Sequence, residues 1–133
     1  MNKNIIKLRI LIVDDIDMMR VLVTQYLIKN DDVVIVGEAC DGEEALKKAQ
    51  ECSPDVILMD MSLPDTSGVA IARKIKAILP KVCIYLCSAY PVDEYRELGM
   101  NSFADGFIQK SSLKLELLSM IKKELCRRKI VNT

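Results

Sequence analysis

Short apolar runs alternate with segments of helical period along the chain, five times over. Leu8 to Val13 reads as a buried strand that stops at Asp14-Asp15. Ile16, Met19, Leu22, Val23, Tyr26 and Leu27 then recur at the three-and-four spacing of one helix face. Val33 to Val36 is a second strand. Asp41 caps the helix after it, Glu44 completes a capping box, and Ala45, Leu46, Ala49 and Cys52 form its inner stripe. Pro54 precedes a third strand, Val56 to Met59, which ends at Asp60. A loop with Pro64, Thr66 and Gly68 leads to a helix on Ile71, Ala72, Ile75, Ile78 and Leu79, closed by Pro80. Val82 to Cys87 is the fourth strand, Val92 to Leu98 a shorter helix, and Phe107-Ile108 a short fifth strand. Ser111 or Ser112 caps a last helix on Leu113, Leu117, Ile121 and Leu125.

Strands that are apolar throughout, separated by helices, predict a parallel sheet covered on both faces. The expected fold is an open, doubly wound α/β sandwich. Neither repeat nor low-complexity segment nor linker breaks the 133 residues, so residues 1–133 read as one domain with its core at about residues 7–125.

Composition narrows the function. Lys plus Arg (19) equals Asp plus Glu (19), a balance that argues against a dedicated nucleic-acid binder. Charge is nevertheless unevenly placed: 13 acids and 4 bases lie between Asp14 and Asp65, and 7 bases and 2 acids from Lys110 onward. The longest apolar run, Val82 to Cys87, is far too short for a membrane span, and Asp14-Asp15 cuts off any signal-peptide pattern. The five cysteines lack a Cys-x-x-Cys pair, and Cys83 and Cys87 stand roughly 13 Å apart along a strand, too far to bridge. With no histidine, the common zinc ligand sets are missing. These features fit a reduced, cytoplasmic protein.

In such sheets ligands bind beyond the carboxyl ends of the strands, where strand order reverses. The residues expected there are Asp14-Asp15, Asp60, Ser88-Ala89 and Lys110. Singly, each has an ordinary explanation: a helix cap, a turn, a solvated lysine. Together, three carboxylates repel by on the order of 4 kcal/mol per pair at an effective dielectric of 20, which calls for a cation among them. Oxygen ligands without histidine or thiolate favour Mg²⁺. A carboxylate can attack phosphorus to form an acyl phosphate while the cation, the lysine, a hydroxyl and backbone N–H groups hold the phosphoryl oxygens. No Gly-rich phosphate loop follows the first strand, so dinucleotide and ATP binding lose support.

These residues carry a resemblance. Asp14-Asp15, then Asp60 with Met61-Ser62-Leu63-Pro64-Asp65-Thr66-Ser67-Gly68, then Ser88-Ala89 and Lys110, match in order and spacing the receiver domain of bacterial two-component response regulators. The chain resembles that family from about Lys7 to about Leu125. The resemblance implies a flavodoxin-like (βα)5 sheet and a phosphorylation-dependent switch. Asp60 matches the phosphoacceptor, Asp15 a direct Mg²⁺ ligand, and Asp14 an acid acting through metal-bound water. The Ser62 backbone carbonyl completes the metal shell, with Mn²⁺ as a substitute ion. Lys110 matches the phosphoryl-pairing lysine, Ser88 the switch hydroxyl and Phe107 the switch aromatic, which on the sequence alone reads as core. Backbone groups of Met61 and Ala89 are expected at the phosphoryl oxygens. The implied donor is a sensor histidine kinase or histidine phosphotransfer protein. The implied output is contact with a downstream protein or a phosphorelay, without nucleic acid or membrane, and with homodimerisation left open. Phosphorylation would shift the population toward a form with an altered face on the fourth helix, fifth strand and last helix.

Some positions depart from the pattern. Ser111 follows Lys110 where many relatives have proline, and Gly99 and Phe103 alter the approach to the fifth strand. Ser62 and Tyr90 hold positions that tune phosphoryl lifetime in the family. Three other readings compete: a pseudo-receiver that works without phosphate, the receiver fragment of a helix-turn-helix regulator, and an aspartyl phosphohydrolase. Ser62 stands where the last class carries a second Asp. Lys122, Lys123, Arg127, Arg128 and Lys129 read as a solvated helix face, and Met18, Met19, Met59 and Met61 as packing residues.

Overall fold

The structure, a computed structural model, describes residues 7–90 and 104–131. The expected helix at Val92 to Leu98, Gly99 and Phe103 lie outside the described residues. The elements are β1 (Leu8–Val13), α1 (Asp17–Leu27), β2 (Val33–Ala39), α2 (Gly42–Cys52), β3 (Val56–Asp60), α3 (Gly68–Ile78), β4 (Cys83–Ser88), β5 (Gly106–Gln109) and α4 (Leu113–Val131). All strand pairs are parallel, in the order β2-β1-β3-β4-β5. The fold is the expected doubly wound, flavodoxin-like sheet.

Alternation along the strands builds two cores. Leu8, Ile10, Ile12, Val56, Leu58, Tyr85 and Ile108 face α1 and α4, where Val23, Leu27, Leu113, Leu117, Met120 and Ile121 cover them. Leu11, Val13, Ile57, Met59, Ile84 and Leu86 face α2 and α3, under Ala45, Ala49, Ile71, Ala72 and Ile75. Burying apolar residues on both faces explains why the strands carry no polar alternation.

The local differences from the sequence reading have physical reasons. β2 runs on to Ala39 because the ladder slips at Val36, pairing Ile10 with Ile35 and Leu11 with Gly37. Asp41 caps α2 as expected, accepting the Glu44 N–H at 2.8 Å, but Glu44 reaches back to the Cys40 N–H instead of closing the box on Asp41. The last helix has no serine cap. Lys110–Ser112 forms a 3-10 turn that runs straight into α4. Met59 and Met61 are buried as packing residues, whereas Met18 is 73% exposed and packs in no core.

The basic cluster departs from its reading at one member: Arg128 is half-buried, whereas Lys122, Lys123 and Arg127 are exposed on the helix face. Glu124 is 1% exposed and sits against the sheet. Its carboxylate accepts the Tyr85 hydroxyl at 2.5 Å and an Arg127 nitrogen at 2.7 Å, with Arg128 at 3.6 Å. Burial works to raise the Glu124 pKa, but the hydrogen bonds from Tyr85 and Arg127 outweigh it and hold the group below the usual range. Arg128 also pairs with Asp55 at 3.6 Å, which ties the end of α4 to the start of β3.

Candidate functional site

Strand order reverses between β1 and β3, and the acids sit at the carboxyl ends of those two strands. Asp14 and Asp60 are buried, at 5% and 6% exposure, and Asp15 is exposed. One carboxylate oxygen from each of the three lies within 4.8 Å of the others. Lys110 crosses from the end of β5 to place Nζ 3.2 Å from Asp14 Oδ2 and 3.3 Å from Asp60 Oδ1.

The charges act on one another. Burial, opposed by Lys110 and aided by Asp14, pushes the Asp60 pKa above the usual carboxylate value. Burial works against the Lys110 ammonium, yet Asp60 and Asp14 outweigh it and raise its pKa. Cys87 pairs with Asp60 across the β3–β4 ladder, and burial pushes its thiol up to about 12. The thiol therefore stays neutral and adds no anion to the cluster.

Backbone geometry positions each group. The Ile16 N–H donates to Asp14 Oδ1 at 2.9 Å, so Asp14 both starts the turn into α1 and faces Lys110. Arg20 holds the Asp14 carbonyl while also pairing with Asp17 and, at 3.0 Å, Glu38. After β3, Gly68 N–H bonds the Met61 carbonyl at 2.8 Å, and Leu63 N–H bonds Thr66 at 3.1 Å. These bonds fold the loop into a small bridge that leaves the Ser62 carbonyl out of the pairing. A Cβ on Gly68 would stand 2.2 Å from the Asp60 carbonyl oxygen, so only glycine lets α3 begin this close to the end of β3. Asp65 fastens the same loop to α2 by accepting the N–H groups of Gly42 (2.8 Å) and Glu43 (3.1 Å), which lower its pKa.

Asp15, Asp60, Met61, Ser62, Ser88, Ala89 and Lys110, with Ile16 and Tyr90, line a cleft of about 310 Å³. Ser88 is buried, and its Oγ accepts the Tyr90 N–H at 2.9 Å. Phe107 is half-buried against the core on the α2/α3 side, level with Leu86. Met61 departs from expectation. Its N–H donates to the Cys87 carbonyl at 3.0 Å, continuing the ladder, and the N–H that meets Asp60 Oδ1 is that of Ser62, at 3.3 Å. Sequence reading missed Arg20 and Asp65 as supports of this site. Only Arg20 left a signal, as the single base between Asp14 and Tyr26.

Three clustered carboxylates, a buried hydroxyl and a lysine thus gather hard oxygen donors and one ammonium at the switch point of a parallel five-stranded sheet. The model of the response regulator receiver domain family matches residues 10–122, and the chain belongs to that family, the receiver domains of two-component signalling. The response regulator VraR of Staphylococcus epidermidis is 31% identical over 116 residues, which are 87% of this chain and 56% of that protein. The chain thus spans about half the length of the curated relatives it matches. The response regulator TrrA of Thermotoga maritima, solved in complex with Mg²⁺–BeF, is 34% identical with a TM-score of 0.77, covering 86% of this chain and 96% of that one. The signal receiver domain of NarL from Mycobacterium tuberculosis is 29% identical with a TM-score of 0.78, covering 89% and 95%. The carboxylate cluster fits Mg²⁺ by its hard oxygen donors. No helix among the described residues is long and apolar enough to cross a membrane.

Proposed function

We propose that Asp60 is the phosphoacceptor of this receiver domain. The observation that carries the reading is Lys110 Nζ standing 3.2 Å from Asp14 and 3.3 Å from Asp60, beside a cleft that Ser88 and Ala89 also line. Lys110 and Ser62 N–H both meet Oδ1 of Asp60, so Oδ2 is the oxygen without a protein hydrogen bond among the described residues.

An electron pair on the Asp60 carboxylate forms the new O–P bond as the bond from phosphorus to the donor breaks. The donor keeps that bonding pair; a phosphohistidine protonated on its other ring nitrogen leaves as neutral imidazole. Asp14, Asp15, Asp60 and the Ser62 carbonyl would hold Mg²⁺. When bound, the ion supplies positive charge to the phosphoryl oxygens and offsets the repulsion among the acids. Lys110 pairs with one phosphoryl oxygen, while the Ser88 hydroxyl and the N–H groups of Ser62 and Ala89 donate to the others. The Ser62 N–H takes the part expected of Met61, whose own N–H is engaged by Cys87. Ser88 gives up its bond from Tyr90 N–H as it turns toward the phosphoryl group, and Phe107 follows it inward. The donor is a sensor histidine kinase or a histidine phosphotransfer protein, and a downstream protein reads the altered face. Relatives built around the same fold, one of them solved with Mg²⁺–BeF, support this assignment.

Intact-mass spectrometry after incubation with Mg²⁺ and acetyl phosphate tests it. One phosphoryl group should add to the wild type and none to Asp60→Ala. An adduct of equal yield on the variant would overturn the assignment.

A further inference from the structure

Lys110 has to bring a charge on a four-carbon stem across the carboxyl edge of the sheet from its edge strand. The strand that carries it is only four residues long, and the 3-10 turn Lys110–Ser112 has no side-chain cap at Gln109. Glu116, one turn into α4, fills that role with both oxygens. Oε1 accepts the Gln109 N–H at 3.0 Å, and Oε2 accepts the Ser112 hydroxyl at 2.6 Å. The carboxylate therefore grips the residue before Lys110 and the residue two after it.

We infer that Glu116 is a positioning residue for phosphoryl transfer, clamping the turn that aims Lys110 at Asp60. The inference rests on Lys110 acting at the phosphoryl group, as assigned above. Glu116 lies outside the acidic cluster and the cleft lining. Its effect thus reaches the chemistry through the lysine and leaves the metal ligands alone. An ordinary helix cap at the same place would stabilise α4 without changing where Nζ sits. A misplacement of about 1 Å in a reacting group lowers rates by up to about a hundredfold, so the two roles differ in kinetics.

The test uses the full chain, Mg²⁺ as the metal probe and acetyl phosphate as the donor. Glu116→Ala should lower the phosphorylation rate at saturating donor by about ten- to a hundredfold, with the Mg²⁺ dissociation constant within about twofold of wild type. Glu116→Gln should recover much of the rate, since its amide oxygen accepts the Gln109 N–H and its NH₂ group donates to the Ser112 hydroxyl. In a Lys110→Ala background, Glu116→Ala should have little further effect, because the group it positions is gone. A wild-type rate for Glu116→Ala, or a loss of the same size in the Lys110→Ala background, would overturn the clamp. Absence of any adduct on the wild type would remove the Asp60 assignment and the clamp with it, which separates that failure from the other two.

Discussion

Replacing Asp60 by Asn should stabilise the metal-free protein while abolishing its chemistry. Two carboxylate oxygens at 4.8 Å, the outer limit within the cluster, repel by about 3.5 kcal/mol at an effective dielectric of 20. Asp60 faces two such neighbours, although Asp15 is exposed and water weakens its share. Against this, Lys110 at 3.3 Å returns about 5 kcal/mol. The Coulomb terms nearly cancel, and the burial of Asp60 adds the desolvation that raises its pKa. Removing the charge should therefore gain about 1–2 kcal/mol in EDTA. For a domain of this size that corresponds to roughly 3–8 °C in Tm. Urea and thermal denaturation with EDTA or Mg²⁺ would read both halves of the argument. Wild type should gain stability with Mg²⁺ by mass action, and Asp60→Asn should gain less. A variant less stable than wild type in EDTA would refute the claim that the folded site holds net repulsion.

Three further outcomes follow from other parts of the molecule. Glu124→Gln should destabilise the fold by about 3 kcal/mol, since it leaves Arg127 and Arg128 without their buried anion. Glu124 has a depressed pKa in the folded state, so its contribution is complete above the usual carboxylate range and is lost as pH falls through the folded value. Urea melts should accordingly show the gap between wild type and variant constant near neutrality and shrinking in acid; a gap that widens in acid would contradict the sign. Gly68→Ala should lower stability by about 1–3 kcal/mol and slow phosphorylation, because the added methyl meets the Asp60 carbonyl oxygen at 2.2 Å; normal kinetics would show that the loop moves freely. Ser53 ends α2 in the left-handed region at φ 47°, so Ser53→Gly should stabilise by roughly 0.5 kcal/mol in urea melts, and any destabilisation would count against strain there.

The strands and the acidic end of the sheet were legible because burial on both faces makes each strand a continuous apolar run, whose polar end then stands out. The extension of β2 through Gly37 and Glu38 was hidden, since neither residue favours a strand and the pairing is imposed by β1. Glu124 was readable in principle. It falls three residues after Ile121 and seven after Leu117, on the buried stripe of α4, and Tyr85 in a buried strand needs a partner for its hydroxyl. The supports of the site were harder to see. Asp65 meets α2 from 23 residues away and Glu116 meets Gln109 from seven, and only the folded backbone brings those groups together.

The most direct test of the central claim is to locate the acyl phosphate. Borohydride reduces an aspartyl phosphate to homoserine, which peptide mass spectrometry identifies at a single position. After treatment with Mg²⁺ and acetyl phosphate, homoserine should replace Asp60 and vanish when EDTA is present. Homoserine at Asp14 or Asp15 with Asp60 intact, or at no position, would contradict the account.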